Sequence, residues 1–195
     1  MTALVNQPSP WISALLVIRK QNNDIRICIE PNPLNRALKR DHFCMPTIDD
    51  ILPQLTKATV FSTIDAKSVF WHCKLANESA NLTTFLSPIG KMKFLRLPYG
   101  ISPASEIFQR KMLEALAGLD GVACIADDIL IYGCRDDSVT AQQDHDLNLI
   151  ALFERYRQQG LKLNKEKMNL NRQSVNFMGM NRWSAVCSQT QRRFK

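Results

Sequence analysis

The first thirty positions contain two short segments rich in apolar residues that are typical of β-strands. Residues 14–20 begin with five apolar residues, residues 25–29 carry isoleucine at every second position, and the polar segment 21–24 between them predicts the turn of a β-hairpin. Because successive side chains of a strand point to opposite faces, Arg26 should lie opposite the isoleucines beside it. Residues 1–10, which contain two prolines, predict an extended leader.

Three further apolar runs predict strands whose ends carry carboxylates. Residues 58–64 are rich in β-branched and aromatic side chains and predict a buried strand that ends at Asp65. Residues 122–125 and 129–132 predict two more strands, joined by a short turn. That turn consists of Ala126, Asp127 and Asp128.

Capping residues and three-to-four-residue spacing predict helices between these strands. Thr47 and Asp50 resemble a capping box at the start of a short helix, which Pro53 should bend. Ser102 followed by Pro103 is typical of a second helix start. Helices and strands are interleaved with several hairpins, so the predicted fold class is α+β rather than a doubly wound parallel sheet.

The composition is that of an ordinary globular domain, with 45% hydrophobic and 22% charged residues among 195. The 25 Lys and Arg residues exceed the 18 Asp and Glu residues by 7, which favours a polyanionic partner. No apolar run approaches the roughly 20 residues of a membrane-spanning helix, and a secretion signal is missing from the start. We therefore expect an intracellular protein, cytoplasmic or nuclear, with no membrane partner and with reduced cysteines.

The carboxylates of Asp65, Asp127 and Asp128 have the clearest chemical potential. Adjacent carboxylates repel each other and lose hydration when buried, unless a cation neutralises them. Gathered carboxylates supply the oxygen ligands that magnesium prefers, and two ions roughly 3.5–4 Å apart can promote phosphoryl transfer. The alternative is a solvent-exposed turn in which aspartate is simply a favourable turn residue.

Ordered segments of the chain resemble the reverse transcriptases of gypsy-type LTR retrotransposons. They comprise residues 9–11, 25–29, 46–52, 61–67, 97–102, 108–112 and 126–133. Any one segment would be weak evidence, whereas their shared order argues against chance. The resemblance implies the right-hand polymerase fold without a thumb, in which an antiparallel palm sheet packs on helices.

The resemblance also implies a division of the chain. Fingers would cover residues 11–60 and 76–100, and the palm residues 61–75 and 101–179. Similarity ends there, so residues 180–195 are expected to form a divergent tail that could be disordered. RNase H and integrase, which accompany such polymerases in polyproteins, are not recognised in this sequence, which suggests a truncated or re-spliced remnant of a mobile element.

The resemblance implies a role for each matching residue. Asp65, Asp127 and Asp128 would be catalytic and would hold two Mg²⁺ ions, with Mn²⁺ as a possible substitute. The nucleotide-binding residues would be Arg26 at the triphosphate, Phe70 as a gate against the ribose 2′-OH, and Tyr99 and Gly100 at the pocket border. Gln109 and Arg110 would contact template or primer. The partners implied are an RNA or DNA template with its primer, and dNTPs.

Several alternatives remain open at the level of sequence. Phe70 could be a plain core aromatic, and Arg26 a solvated strand residue. The remaining implied site residues could equally be packing residues, namely Tyr99, Gly100, Gln109 and Arg110. Val69 stands where relatives usually carry glycine before the gate, and could crowd the nucleotide or require a different backbone conformation. The whole chain could be an active polymerase, a nucleic-acid-binding remnant that no longer polymerises, or an inert product.

Overall fold

The computed structural model describes residues 1–20, 23–40, 42–134 and 137–184. The strands within them are β1 (Thr2–Leu4), β2 (Ala14–Arg19), β3 (Ile25–Glu30), β4 (Ala58–Asp65), β5 (Phe85–Ser87), β6 (Gly90–Phe94), β7 (Val122–Ile125), β8 (Asp128–Cys134), β9 (Asn169–Arg172), β10 (Ser174–Phe177) and β11 (Met180–Ser184). The α-helices are α1 (Asn32–Ala37), α2 (Ile48–Ile51), α3 (Asn77–Leu82), α4 (Ala104–Leu116) and α5 (Ser138–Gln159). Short 3₁₀ helices cover Leu52–Leu55, Val69–His72 and Lys165–Lys167. This mixture of helices and antiparallel sheets confirms the predicted α+β class.

The chain divides into two compact units. The first comprises Met1–Phe43 and Ser68–Phe108, and the second comprises Cys44–Lys67 and the described part of Gln109–Lys195. Each unit has its own hydrophobic core and its own sheets.

In the first unit, a three-stranded antiparallel sheet has the order β1-β6-β5, and β2 and β3 form a separate hairpin. Ile29, Phe85 and Phe94 form the buried core. The predicted hairpin is confirmed, but its isoleucines do not share one environment, since Ile29 is 2% exposed and Ile25 is 65% exposed.

The first unit contains three elements that the hydrophobic pattern did not predict. α1 begins at Asn32 with a proline in its first turn, and α3 is a helix of six residues with only Ala80 buried. β1, within the predicted extended leader, pairs with β6. Each element is too short to show a period of its own.

In the second unit, a four-stranded antiparallel sheet has the order β7-β8-β4-β9. One face carries a core that includes Phe61, Leu130 and Tyr132, and α5 packs against β8 and β4. This contact requires Gly133, because a Cβ atom there would lie 2.1 Å from the carbonyl oxygen of Ala141 in α5.

The predictions for the start of the second unit are confirmed. The Thr47–Asp50 capping box is present, and α2 gives way after Ile51 to the 3₁₀ helix that contains Pro53. At the far end, β11 pairs with β10 in a hairpin. Residues 185–195 of the predicted tail lie outside the described residues.

Candidate active site

The register of the second unit's sheet brings two of the three predicted carboxylates together. β4 and β8 run antiparallel, and Asp65 at the end of β4 is directly opposite Asp128 at the start of β8. Residues opposite each other in an antiparallel pair have Cα atoms about 4.5–5.5 Å apart and side chains on the same face. Asp65 is buried, whereas Asp128 is half-buried.

Asp127 lies in the turn that joins β7 to β8, and its side chain is exposed. Its carbonyl oxygen accepts a hydrogen bond from the backbone N–H of Ala66, 3.0 Å away. This bond ties the turn to the residue that follows Asp65. The backbone therefore places all three aspartates at the same end of the four-stranded sheet.

The electrostatic effect of this grouping is visible at Asp128. Burial raises the pKa of Asp128 above its ordinary value, the charges of Asp127 and Asp65 raise it further, and Lys167 lowers it. Burial also raises the pKa of the nearby Cys124 thiol to about 12, with contributions from Asp127 and Asp128. The negative charges at this end of the sheet are thus close enough to disfavour one another.

Lys167 partly compensates this negative charge. Its Nζ lies 2.6 Å from Oδ2 of Asp65, and its side chain is 61% exposed. The hydrogen bond to Asp65 raises the pKa of the Lys167 ammonium, and the charges of all three aspartates add to this effect. The pairing of Lys167 with Asp65 was not predicted from the sequence, because an exposed lysine in a polar segment carries no signal of its partner.

Among the described residues, no group of three or more His, Cys, Asp or Glu side chains is arranged as a metal site. The donor chemistry nevertheless fits a hard divalent cation, because the three side chains supply only carboxylate oxygens. The raised pKa of Asp128 indicates mutual repulsion that such a cation would relieve. Asp65 Oδ2 is engaged by Lys167, so a cation would have to displace the ammonium from that oxygen.

Gln109, predicted to contact template or primer, is completely buried in the second unit. Its Nε2 donates to the carbonyl oxygen of Cys124 at 2.9 Å, and its Oε1 accepts the backbone N–H of Ala126 at 2.5 Å. Its amide therefore binds the aspartate turn and presents no surface to a template. Arg110, the next residue, is exposed.

The predicted nucleotide-binding residues belong to the first unit. Phe70 and Tyr99 lie in an aromatic cluster, and Arg26 contacts that cluster. The rings of Phe70 and Tyr99 have centroids 4.8 Å apart, and the Phe108 ring lies 6.2 Å from that of Phe70. The guanidinium carbon of Arg26 is 5.0 Å from the centroid of the Tyr99 ring, a cation–π contact. Phe70 and Tyr99 are half-buried, and Arg26 is exposed.

Gly100 fits closely against β3 in the same unit. Its φ is +110°, and a Cβ atom there would lie 1.9 Å from the carbonyl oxygen of Ile29. The Asn35 side chain bonds the backbone of the segment that contains Gly100 at two points. Its Nδ2 donates to the Gly100 carbonyl and its Oδ1 accepts the N–H of Ser102, each at 2.9 Å. The sequence pattern around Asn35 did not single it out.

Val69 needs no unusual backbone conformation. The left-handed residue is the preceding Ser68, with φ of +54°. Val69 opens the 3₁₀ helix Val69–His72, and its side chain is buried.

The chain matches the family of reverse transcriptases (RNA-dependent DNA polymerases), whose model aligns with residues 18–182. The chain is 34% identical over 172 residues to an uncharacterised protein of Caenorhabditis elegans. It is 34% identical over 179 residues to the retrovirus-related Pol polyprotein from transposon 412 of Drosophila melanogaster. It is 31% identical over 162 residues to the enzymatic polyprotein of cauliflower mosaic virus.

The alignments cover 87%, 88% and 83% of this chain, but only 13%, 14% and 23% of those relatives. The chain therefore spans less than a quarter of their length.

Solved reverse transcriptase structures have the same fold as this chain. The foamy viral protease–reverse transcriptase, solved in complex with double-stranded DNA, superposes with a TM-score of 0.80 at 21% identity, over 93% of this chain and 31% of that one. The native protease–reverse transcriptase of prototype foamy virus gives a TM-score of 0.74 at 21% identity, over 91% of this chain and 23% of that one. By its sequence and its fold, the chain belongs to the reverse transcriptase family.

Proposed function

We propose that this chain carries the catalytic part of an RNA-directed DNA polymerase, which adds deoxynucleotides to the 3′-OH of a primer along an RNA or DNA template. The single observation that supports this most directly is the register of β4 and β8, which sets Asp65 opposite Asp128 with Asp127 in the adjoining turn. In the reaction, the primer 3′-oxygen forms a bond to the α-phosphorus of the dNTP, and the bond to pyrophosphate breaks.

The three aspartates would hold two Mg²⁺ ions, which Mn²⁺ could replace. When bound, the ions would promote attack by the primer oxygen and stabilise the charge of the leaving pyrophosphate. Asp65 and Asp127 would be the principal ligands, with Asp128 beside them. Lys167 would hold Asp65 in place before the cation arrives, since its ammonium already neutralises that carboxylate.

The first unit would bind the incoming nucleotide. Arg26 would contact the triphosphate, because a guanidinium matches the geometry of phosphate oxygens. Phe70 would exclude the ribose 2′-OH, and Tyr99 and Gly100 would border the pocket. Arg110 is exposed and would contact template or primer.

The partners of this function would be nucleic acids. The foamy viral protease–reverse transcriptase was solved in complex with double-stranded DNA and, separately, with an RNA/DNA hybrid. The named transposon and viral relatives are polyproteins, so further polyprotein domains such as RNase H and integrase remain candidate partners. Among the described residues, no helix has the length and apolarity to cross a membrane.

A second candidate function is nucleic-acid binding without polymerisation. The ion pair between Lys167 and Asp65 favours it, because an ammonium already occupies one of the carboxylate oxygens that a catalytic cation would need. Exposed cations near the aspartates, such as Lys162 and Lys165, would retain affinity for phosphates in either case.

Primer extension on an RNA template distinguishes the two functions. The wild-type chain, Asp127→Asn and the control Asp120→Asn would be compared with Mg²⁺ and dNTPs, since Asp120 is an exposed carboxylate outside the aspartate group. We expect extension by the wild type and the control, and a loss of at least a hundredfold in Asp127→Asn. Equal incorporation by wild type and Asp127→Asn would reject the polymerase, and retained nucleic-acid binding in both would support the second function.

A further inference from the structure

The turn that carries Asp127 has a backbone conformation that its sequence does not favour. Ile125 at the end of β7 pairs with Asp128 at the start of β8, so only two residues make the turn. Tight hairpin turns of this length require positive φ values and favour glycine or asparagine. Here Ala126 has φ of +53°, a left-handed conformation that residues with a side chain rarely adopt.

Gln109 supplies the interactions that this turn lacks. It reaches the turn from α4, it is 0% exposed, and its two polar atoms bind the backbone on both sides of residue 125. One bond needs an acceptor, for the N–H of Ala126, and the other needs a donor, for the carbonyl of Cys124. A neutral amide provides both in one group and adds no charge beside the aspartates.

We propose that Gln109 is a positioning residue that holds the strained turn so that Asp127 and Asp128 stand beside Asp65. This inference rests on the proposed function to the extent that the aspartates bind cations. Residues that orient metal ligands typically change metal affinity or activity by about 10–100-fold when they are substituted. Gln109 would act in this way through the backbone, without touching the cation or the substrate.

The same hairpin offers a matched control. Asn148 of α5 donates from Nδ2 to the carbonyl oxygen of Tyr132 at 3.1 Å, four residues along β8 from Asp128. It is also an amide that bonds the backbone, but it does not contact the turn. Asn148→Leu therefore removes a comparable bond and leaves the support of the turn intact.

The experiment compares wild type, Gln109→Met, Asn148→Leu and Asp127→Asn. Mn²⁺ affinity is measured by electron paramagnetic resonance without nucleic acid, single-nucleotide extension gives kcat and the KM for dNTP, and thermal unfolding reports stability. We expect Gln109→Met to weaken Mn²⁺ binding and to lower kcat, each by about tenfold or more, with little change in KM. Asn148→Leu should lower the melting temperature while its Mn²⁺ affinity and kcat stay at the wild-type values.

Two outcomes would overturn the proposal. One is wild-type Mn²⁺ affinity and kcat in Gln109→Met while Asp127→Asn loses both. The other is an equal loss in Gln109→Met and Asn148→Leu, which would mean that Gln109 acts only through general stability.

If Asp127→Asn binds Mn²⁺ like wild type, the proposed metal function fails, and the support of the turn is judged by hydrogen exchange alone. Hydrogen exchange of the wild type is also the deciding measurement in the case that Gln109→Met fails to fold. In the wild type, the amide of Ala126 should exchange as slowly as amides inside β8, because it is bonded to a buried side chain. Exchange at the rate of an unprotected turn amide would reject the proposal.

Discussion

At the scale of single residues, Asp128 is held where its charge is unfavourable. Burial and the charges of Asp127 and Asp65 raise its pKa, so the folded protein binds a proton at Asp128 more tightly than the unfolded chain does. The free energy of unfolding should therefore fall as the pH rises from about 4, the ordinary value for aspartate, through the raised pKa, and should stay lower above it.

Asp128→Asn tests this account because it removes the charge. Without divalent cations, the variant should melt a few degrees above wild type at pH 7, and the difference should vanish below about pH 4. Circular dichroism at both pH values in EDTA measures it, with the exposed Asp120→Asn as control, which should show no gain. A melting temperature of Asp128→Asn at or below wild type at pH 7 would contradict the electrostatic explanation.

Gly100 illustrates a second residue-scale constraint, a close approach of two backbones. Gly100→Ala should destabilise the chain by about 2 kcal/mol more than Gly90→Ala, because Gly90 also has a positive φ but an added Cβ there meets nothing within 4 Å. Urea unfolding of the two variants gives the comparison. Equal losses would show that the contact with Ile29 relaxes without cost.

The sequence could point to Asp65, Asp127 and Asp128, because each follows or precedes an apolar run. It could not decide whether Gln109 packs inside or contacts a template, since glutamine is usually exposed and helix periodicity does not distinguish a buried amide from a surface one. The sequence also could not show what Asn35 and Lys167 bind, because their partners are 65 and 102 positions away in the chain. These contacts arise from the tertiary fold alone.

At the scale of elements, a polar network centred on two buried side chains joins β4, α5 and β9. Ser62 Oγ lies 2.8 Å from Nε2 of His145, and it accepts the N–H of Asn171 at 3.0 Å. Nδ1 of His145 lies 3.0 Å from Oδ1 of Asp146. A neutral imidazole with its proton on Nδ1 satisfies all of these partners. Ser62 and His145 are both 0% exposed, so this serine, histidine and aspartate form a structural link and not a hydrolytic site.

Ser62→Ala should be costly because it leaves the buried His145 nitrogen and the part-buried Asn171 N–H without their partner. A buried group without a partner costs about 1–3 kcal/mol, and the second group adds less, so we expect a loss of about 2–3 kcal/mol. Chemical denaturation measures it, and Ser174→Ala, an exposed serine in β10, should change stability by less than about 0.5 kcal/mol. A loss as small as that of the control would mean that water replaces the hydroxyl.

The elements that the sequence predicted well are those with a local signal. The capping box at Thr47, the buried strand β4 and the β7–β8 hairpin each contain one. α1 was missed because Pro31 and Pro33 suggest a break, whereas proline in the first turn is compatible with a helix. β1 was missed because three residues become a strand only through their partner β6.

At the scale of the whole molecule, part of the net charge of +7 lies near the aspartates. The loop after α5 is fixed to the end of β4 by its backbone, since Lys67 N–H donates to the Lys162 carbonyl at 2.8 Å and Asn164 N–H to the Asp65 carbonyl at 2.9 Å. Lys162 and Lys165 are exposed on this loop. The fold thus sets two exposed cations beside three carboxylates.

The double variant Lys162→Gln/Lys165→Gln should therefore bind an RNA/DNA hybrid more weakly, and its affinity should depend less on salt. Removing one phosphate contact reduces the slope of log K against log [salt] by roughly 0.7–0.9, so we expect a reduction of about 1–2, measured by fluorescence anisotropy across a salt series. Lys57→Gln removes a charge just before the opposite end of β4, about 26 Å from Asp65 by strand geometry, and should leave the slope near that of wild type. If both variants gave the same slope, affinity would follow total charge, and the loop beside Asp65 would have no special part in holding nucleic acid.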